Sequence, residues 1–185
     1  MTKSILSFLL VLVLSGVATA QSNNYRMFEW DLLRLGYAIP GGERFGGGVA
    51  FGTEVRYNAS DRISVGLRPE VAAYTSNLEA ETIDVGAAGS FVVTGDYYLR
   101  TEGGFRPFGG MGLGSFGGAS VTVEDTDDTV DEEDLEVGRS LGIVPRVGME
   151  IGHFRVSLEY NLTFSDQVSN YFGIMIAPTL FGGPK

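Results

Sequence analysis

Period-two alternation, sustained over unusually long stretches, most limits what this chain can fold into. Val49, Phe51, Val55 and Tyr57 alternate with Ala50, Gly52, Glu54 and Arg56. Ile63, Val65, Leu67, Pro69 and Val71 alternate with Ser64, Gly66, Arg68 and Glu70. The same pattern runs from Leu141 to Ile151 and from Phe154 to Phe164. Such stretches are strands with one large apolar face and one small or charged face. Weaker alternation predicts further strands over about 26–38, 84–99, 105–117 and 170–181. Ordinary soluble strands run about 5–6 residues, whereas a tilted membrane-crossing strand needs roughly 9–11. Helical periodicity is scarce, because 27 glycines interrupt nearly every window.

The connections alternate in length. Short turns occupy Asn58 to Asp61, Arg100 to Gly104, and Gly152-His153, where glycine suits the first position of a type II′ turn. Longer connections cover Pro40 to Arg44, about Thr75 to Ile83, about Gly118 to Glu136, and about Ser165 to Ser169. Eight strands with short turns on one side and long ones on the other predict an all-β fold. That fold is an eight-stranded, antiparallel, up-and-down transmembrane β-barrel.

Its two faces predict different surroundings. The small faces carry Glu54, Arg56, Arg68, Glu70, Arg146, Glu150, Arg155 and Glu159 near strand centres. A narrow eight-stranded interior is filled by side chains, and ion pairs interleaved with glycine would fill it. Counting outward from Gly152-His153 sets Glu150 opposite Arg155 and Arg146 opposite Glu159, which predicts two cross-strand ion pairs. Aromatics gather near strand ends. Phe28, Trp30, Tyr57, Tyr97, Phe105, Phe154 and Phe181 lie towards the short turns. Tyr37, Tyr74, Phe116, Phe164 and Tyr171 lie towards the long connections. Two such belts predict membrane-interface girdles.

The N-terminus reads as an address. Lys3, the apolar run from Ile5 to Leu14, and Ala18-Thr19-Ala20 predict a signal peptide over residues 1–20. The barrel domain is then 21–185, with an acidic extracellular loop about 118–136. Of 23 acids in a chain of net charge −10, nine fall between Glu124 and Glu136. This loop is read as a solvated surface segment. A weak Ca²⁺ site on Asp125, Asp127, Asp128, Asp131, Glu132, Glu133 and Asp134 is its functional alternative, though no EF-hand pattern is present. The acidic balance excludes a nucleic-acid partner, and the absence of Cys excludes disulfides and thiolate metal sites. His153, the only His, falls in a turn, so no catalytic residues and no cofactor are predicted. Gly112 to Gly117 fits G-x-G-x-x-G, but its glycines lie in a strand and serve as space rather than as a phosphate cradle.

The signal peptide, the eight alternating strands and the glycine-rich run Phe108 to Phe116 together resemble a known family. It is that of the small outer-membrane β-barrel proteins of Gram-negative bacteria, the OmpA-transmembrane, OmpX and OmpW-like group. The resemblance implies residence in the cell outer membrane with periplasmic termini and insertion by the barrel assembly machinery. The expected partners are outer-membrane lipid, lipopolysaccharide whose phosphates divalent ions would bridge to the acidic loop, and other outer-membrane proteins. The family usually ends on an aromatic, whereas here Gly182, Gly183, Pro184 and Lys185 follow Phe181. The predicted role is structural or interactive and not enzymatic, without an open large pore, including service as an accessory subunit of a larger complex. Two alternatives stay open: a narrow pore or lateral path for small hydrophobic molecules, and a soluble periplasmic ligand-binding barrel.

Overall fold

The computed structural model describes residues 22–41, 46–75, 82–124, 136–165 and 168–185. The predicted signal peptide, residues 1–20, and the candidate Ca²⁺ acids Asp125, Asp127, Asp128, Asp131, Glu132, Glu133 and Asp134 lie outside these residues.

Eight strands follow one another: β1 (Phe28–Pro40), β2 (Gly47–Asn58), β3 (Ile63–Thr75), β4 (Thr82–Tyr98), β5 (Phe105–Glu124), β6 (Glu136–Ile151), β7 (Phe154–Thr163) and β8 (Tyr171–Leu180). Each pairs antiparallel with the next, and β8 pairs antiparallel with β1, so the sheet closes and has no continuous free edge. At the tightest turn Gly152 takes φ 61°, and Ile151 faces Phe154 across it.

Strands β5 and β6 run further than the sequence indicates. β5 continues through Glu124 and β6 begins at Glu136, so the segment predicted as a loop over 118–136 starts and ends in strand. The run Val121-Thr122-Val123 supplies the β-branched residues that favour this extension.

Burial alternates along the strands with the polarity of an inverted globule. Large apolar residues such as Leu35, Val49, Phe51, Leu67, Phe91, Leu113, Leu141, Leu158 and Ile176 are exposed on the outside. Arginines and carboxylates are buried inside. Towards the long connections the interior changes character. There Ala38, Ala50, Ala72, Ala88, Tyr74, Tyr171 and Met175 form an apolar cluster. Phe116 packs beside Val92, Val144 and Val168.

One irregularity governs β1. Its register against β2 shifts between Asp31 and Arg34, where Leu32 and Leu33 both point outward. This bulge flips the parity of the strand. Glu29 and Asp31 face inward before it, and Arg34 and Ala38 face inward after it.

Candidate functional site

Seven carboxylates and six guanidiniums are buried in the barrel among the described residues. They are Glu29, Asp31, Glu54, Glu70, Asp96, Glu150 and Glu159 against Arg34, Arg56, Arg68, Arg106, Arg146 and Arg155. A charge taken from water is tolerated only when paired and hydrogen-bonded, and most of these have several partners. Arg34 donates to both Glu54 and Glu159, and Arg68 donates to Glu159 and to Asn161 Oδ1 at 2.8 Å. Arg146 spans Glu54 Oε1 and Asp96 Oδ1, each at 2.8 Å. Arg155 reaches Asp96 Oδ2 and Glu150 Oε1, each at 2.6 Å. Arg56 holds Asp31 and, at 3.0 Å, Glu29 Oε2. Hydroxyls fill remaining acceptor positions. Thr94 donates to Glu54, Tyr98 to Glu150, Ser157 to Glu159, and Tyr171 to Glu70.

Glycines make room for bulky side chains in both the ionic layer and the apolar cluster. A Cβ added at Gly148 would sit 2.6 Å from Phe108 Cζ. One added at Gly142 would sit 2.9 Å from Phe116 Cε2. One added at Gly112 would meet Val92 Cγ1 at 2.5 Å. Phe108 in turn lies under Arg155, whose Cζ is 3.7 Å from the ring centroid.

All eight residues named from the sequence for the interior are found there: Glu54, Arg56, Arg68, Glu70, Arg146, Glu150, Arg155 and Glu159. Glu150 faces Arg155 and bonds to it. Arg146 faces Glu159 in register, but its guanidinium turns across the lumen to Glu54 and Asp96. Glu159 is taken by Arg34 and Arg68 instead. Glu29, Asp31, Arg34, Asp96 and Arg106 belong to the same network. The bulge conceals Arg34, and Asp96 and Arg106 lie near the short-turn ends of β4 and β5.

Of the aromatics predicted for the girdles, Phe28, Tyr97, Phe154, Phe164 and Phe181 are exposed, while Trp30 and Tyr57 are half-buried. Trp30 Nε1 donates to Thr53 Oγ1 at 2.8 Å, and Phe28 packs against Tyr57 with centroids 5.4 Å apart and rings tilted by 58°. Tyr171 is a correction, because it is 1% exposed and lies inside the barrel. It shares parity with Gly173, Ala177 and Thr179, the small face of β8, and its hydroxyl answers Glu70. Tyr74 and Phe116 are interior for the same reason of parity.

The mouth on the short-turn side is crossed by a strap that sequence reasoning did not find. Residues before β1 pair with those after β8, with a bridge between Tyr25 and Pro184. Lys185 N donates to Asn24 O at 2.9 Å. Ser22 Oγ and Asn24 N both donate to Asp61 on the β2–β3 turn, while Asn24 Nδ2 and Tyr25 OH reach Thr101 O and Gly103 O on the β4–β5 turn. Tyr25 is buried, and Arg106 is sandwiched with its Cζ 3.7 Å from the Tyr25 ring and 3.6 Å from the Tyr98 ring. Burial alone would raise the Asp61 pKa, but bonds from Ser22 and from backbone amides outweigh it and hold the carboxyl below its usual range.

His153 is exposed on its turn, where its carbonyl accepts from Thr179 N. Among the described residues no group of three His, Cys, Asp or Glu is arranged to hold a metal ion.

No family model matches the chain, and no curated protein matches it. Solved structures do. Neisserial surface protein A is 10% identical with a TM-score of 0.56, covering 84% of this chain and 97% of its own. Ail, the attachment invasion locus protein of Yersinia pestis, is 12% identical with a TM-score of 0.49, covering 84% and 99%. The N-terminal β-barrel domain of Pseudomonas aeruginosa OprF is 12% identical with a TM-score of 0.48, also covering 84% and 99%. With an apolar outer wall, an ionic lumen and this likeness, the chain shares the small eight-stranded barrel fold of neisserial surface protein A.

Proposed function

We propose that this protein is an integral barrel of the bacterial outer membrane, sealed through its lumen, with the short turns and both strand-end segments on the periplasmic side. Its work is structural or interactive, done by the outer wall and by the end that carries the long connections, and not by catalysis. The observation that carries this reading is the inverted polarity. A wall of exposed Leu, Ile, Val and Phe surrounds an interior of buried Arg, Glu and Asp. In water that wall would be a very large exposed apolar patch, whereas in hydrocarbon it is the favoured surface. A soluble carrier of apolar ligands would need the opposite arrangement, and an aqueous pore would need a lumen not crossed by guanidinium–carboxylate bonds. The fold held in common with neisserial surface protein A supports the same reading.

Fractionation tests it directly. The protein is expected in the outer-membrane fraction, resistant to carbonate extraction, and shifted in apparent mass when boiled before electrophoresis, as closed barrels are. Recovery in the soluble periplasmic fraction would overturn the membrane assignment.

A further inference from the structure

Three arginines outside the barrel gather on one arc of the short-turn rim. We propose that the short-turn rim from β1 to β5 binds anionic phospholipid headgroups, with Arg26, Arg62 and Arg100 as the phosphate contacts. The proposal rests on the membrane-spanning reading above and adds a lipid class and a location to it.

All three arginines are exposed, and each lies just outside the short-turn end of a strand. Arg26 precedes β1, and its carbonyl accepts from Asn58 Nδ2 at 2.7 Å. Arg62 precedes β3, and its carbonyl accepts from Tyr98 N at 2.8 Å. Arg100 follows β4, one residue beyond Leu99, whose amide donates to Pro107 O at 2.9 Å. Two of the side chains lie against aromatic residues of the wall. Arg62 Nη1 donates to Tyr97 OH at 3.1 Å, and Arg100 Cζ is 5.9 Å from the Phe105 centroid. Arg26 adjoins exposed Met27 and Phe28. An aromatic at the level where hydrocarbon gives way to headgroups, with a guanidinium just beyond it, matches a lipid whose chains continue down the wall.

The guanidinium fork suits a phosphate, which it grips through two parallel N–H donors. Each fork holds the phosphate of one lipid, and a headgroup with net negative charge leaves that contact unopposed, whereas phosphocholine brings its own cation. Two acids share this arc. Asp61 is occupied by the strap through Ser22 Oγ and Asn24 N, and Glu102 is exposed. The facing arc is different. Its turn carries His153 between exposed Ile151 and Phe154, and Arg155 points into the lumen. Lys185 Nζ is engaged by Ser22 O at 2.7 Å.

The test uses the mature protein refolded into nanodiscs of equal phosphatidylglycerol and phosphatidylcholine, released gently, with co-purifying lipid counted by native mass spectrometry. Wild type is expected to retain phosphatidylglycerol preferentially. Each of Arg26→Gln, Arg62→Gln and Arg100→Gln lowers that preference about fivefold, as the loss of one basic contact near a charged membrane surface predicts. The triple variant shows no preference, and His153→Gln on the facing arc leaves it unchanged. Equal retention of the two lipids by wild type overturns the proposal. So does a preference that survives in the triple variant, or one that His153→Gln abolishes equally. Failure of the spanning reading is separate and visible beforehand, because no variant would then give the boiling-dependent mass shift or retain lipid of either kind.

Discussion

Arg146 shows how a single residue can be legible in position and not in partnership. Counting from Gly152-His153 assigns its face and its cross-strand neighbour, Glu159, because register in a tight hairpin is fixed by the turn. It cannot assign where a long side chain ends in a closed lumen, since residues from non-adjacent strands converge there. Arg146 lies on β6, yet it bonds to Glu54 of β2 and Asp96 of β4. Its loss therefore takes a guanidinium from two buried carboxylates at once, leaving Glu54 with Arg34 and Thr94 and Asp96 with Arg155. Arg146→Leu is expected to cost about 3–5 kcal/mol, the range for breaking a buried pair from one side. Leu158→Ala on the outer wall loses only the transfer of three carbons from a half-exposed position, about 1–2 kcal/mol. Urea titration of the folded barrel in lipid vesicles measures both. Equal losses would show that the interior bonds do not carry the stability assigned to them.

At the scale of elements, the sequence discloses strands where period two is unbroken and conceals what breaks it. β3 alternates without fault from Ile63 to Tyr74, so Arg68 and Glu70 are placed by parity alone. β1 does not. Leu32 and Leu33 both face outward, so a two-residue count begun at Phe28 would send Arg34 to the lipid side. Parity was available for Tyr171, which alternates with the large outward Phe172, Ile174 and Ile176; proximity to a strand end is the weaker guide. The strap over the short-turn mouth was invisible for another reason. It has no periodicity, and its partners are turn residues far away in sequence, with Ser22 bonded to Asp61 and Asn24 bonded to Thr101. Asp61 makes this element sensitive to acid. Its carboxylate is favoured in the folded protein, so its contribution is complete above the unfolded value of about 3.9 and fades as pH falls through the lower folded value. The Asn24 amide resonance should therefore titrate with a midpoint below that of a free aspartate. In Asp61→Asn, the amides of Asn24 and Tyr25 should exchange faster at neutral pH while the strand amides keep their protection. A midpoint at or above the free value would show that the carboxylate does not hold the strap.

For the whole molecule the network ties the wall together across the lumen. Its bonds touch every strand. Arg34 on β1 reaches Glu54 on β2 and Glu159 on β7, and Arg68 on β3 reaches Glu159. Asp96 on β4 holds Arg146 on β6, Arg106 on β5 approaches Glu29 at 3.4 Å, and Thr179 on β8 donates to Asp31 at 2.5 Å. A solute crossing the lumen would have to part bonds that span its full width, and it would then meet Arg106 clamped between Tyr25 and Tyr98 at the strap. Wild-type protein in planar bilayers should accordingly be silent, and steady single-channel currents would contradict a sealed lumen. The double variant Glu54→Ser with Arg146→Ser removes the central crossing while deleting one charge of each sign. Provided it still shows the boiling-dependent mass shift, it is expected to give brief, small currents. Their selectivity follows from the interior charge that remains. Carboxylates still outnumber guanidiniums by one, so the leak should favour cations, read as a reversal potential displaced towards that of the cation across a salt gradient. An anion-selective leak would mean that the path does not run through this layer.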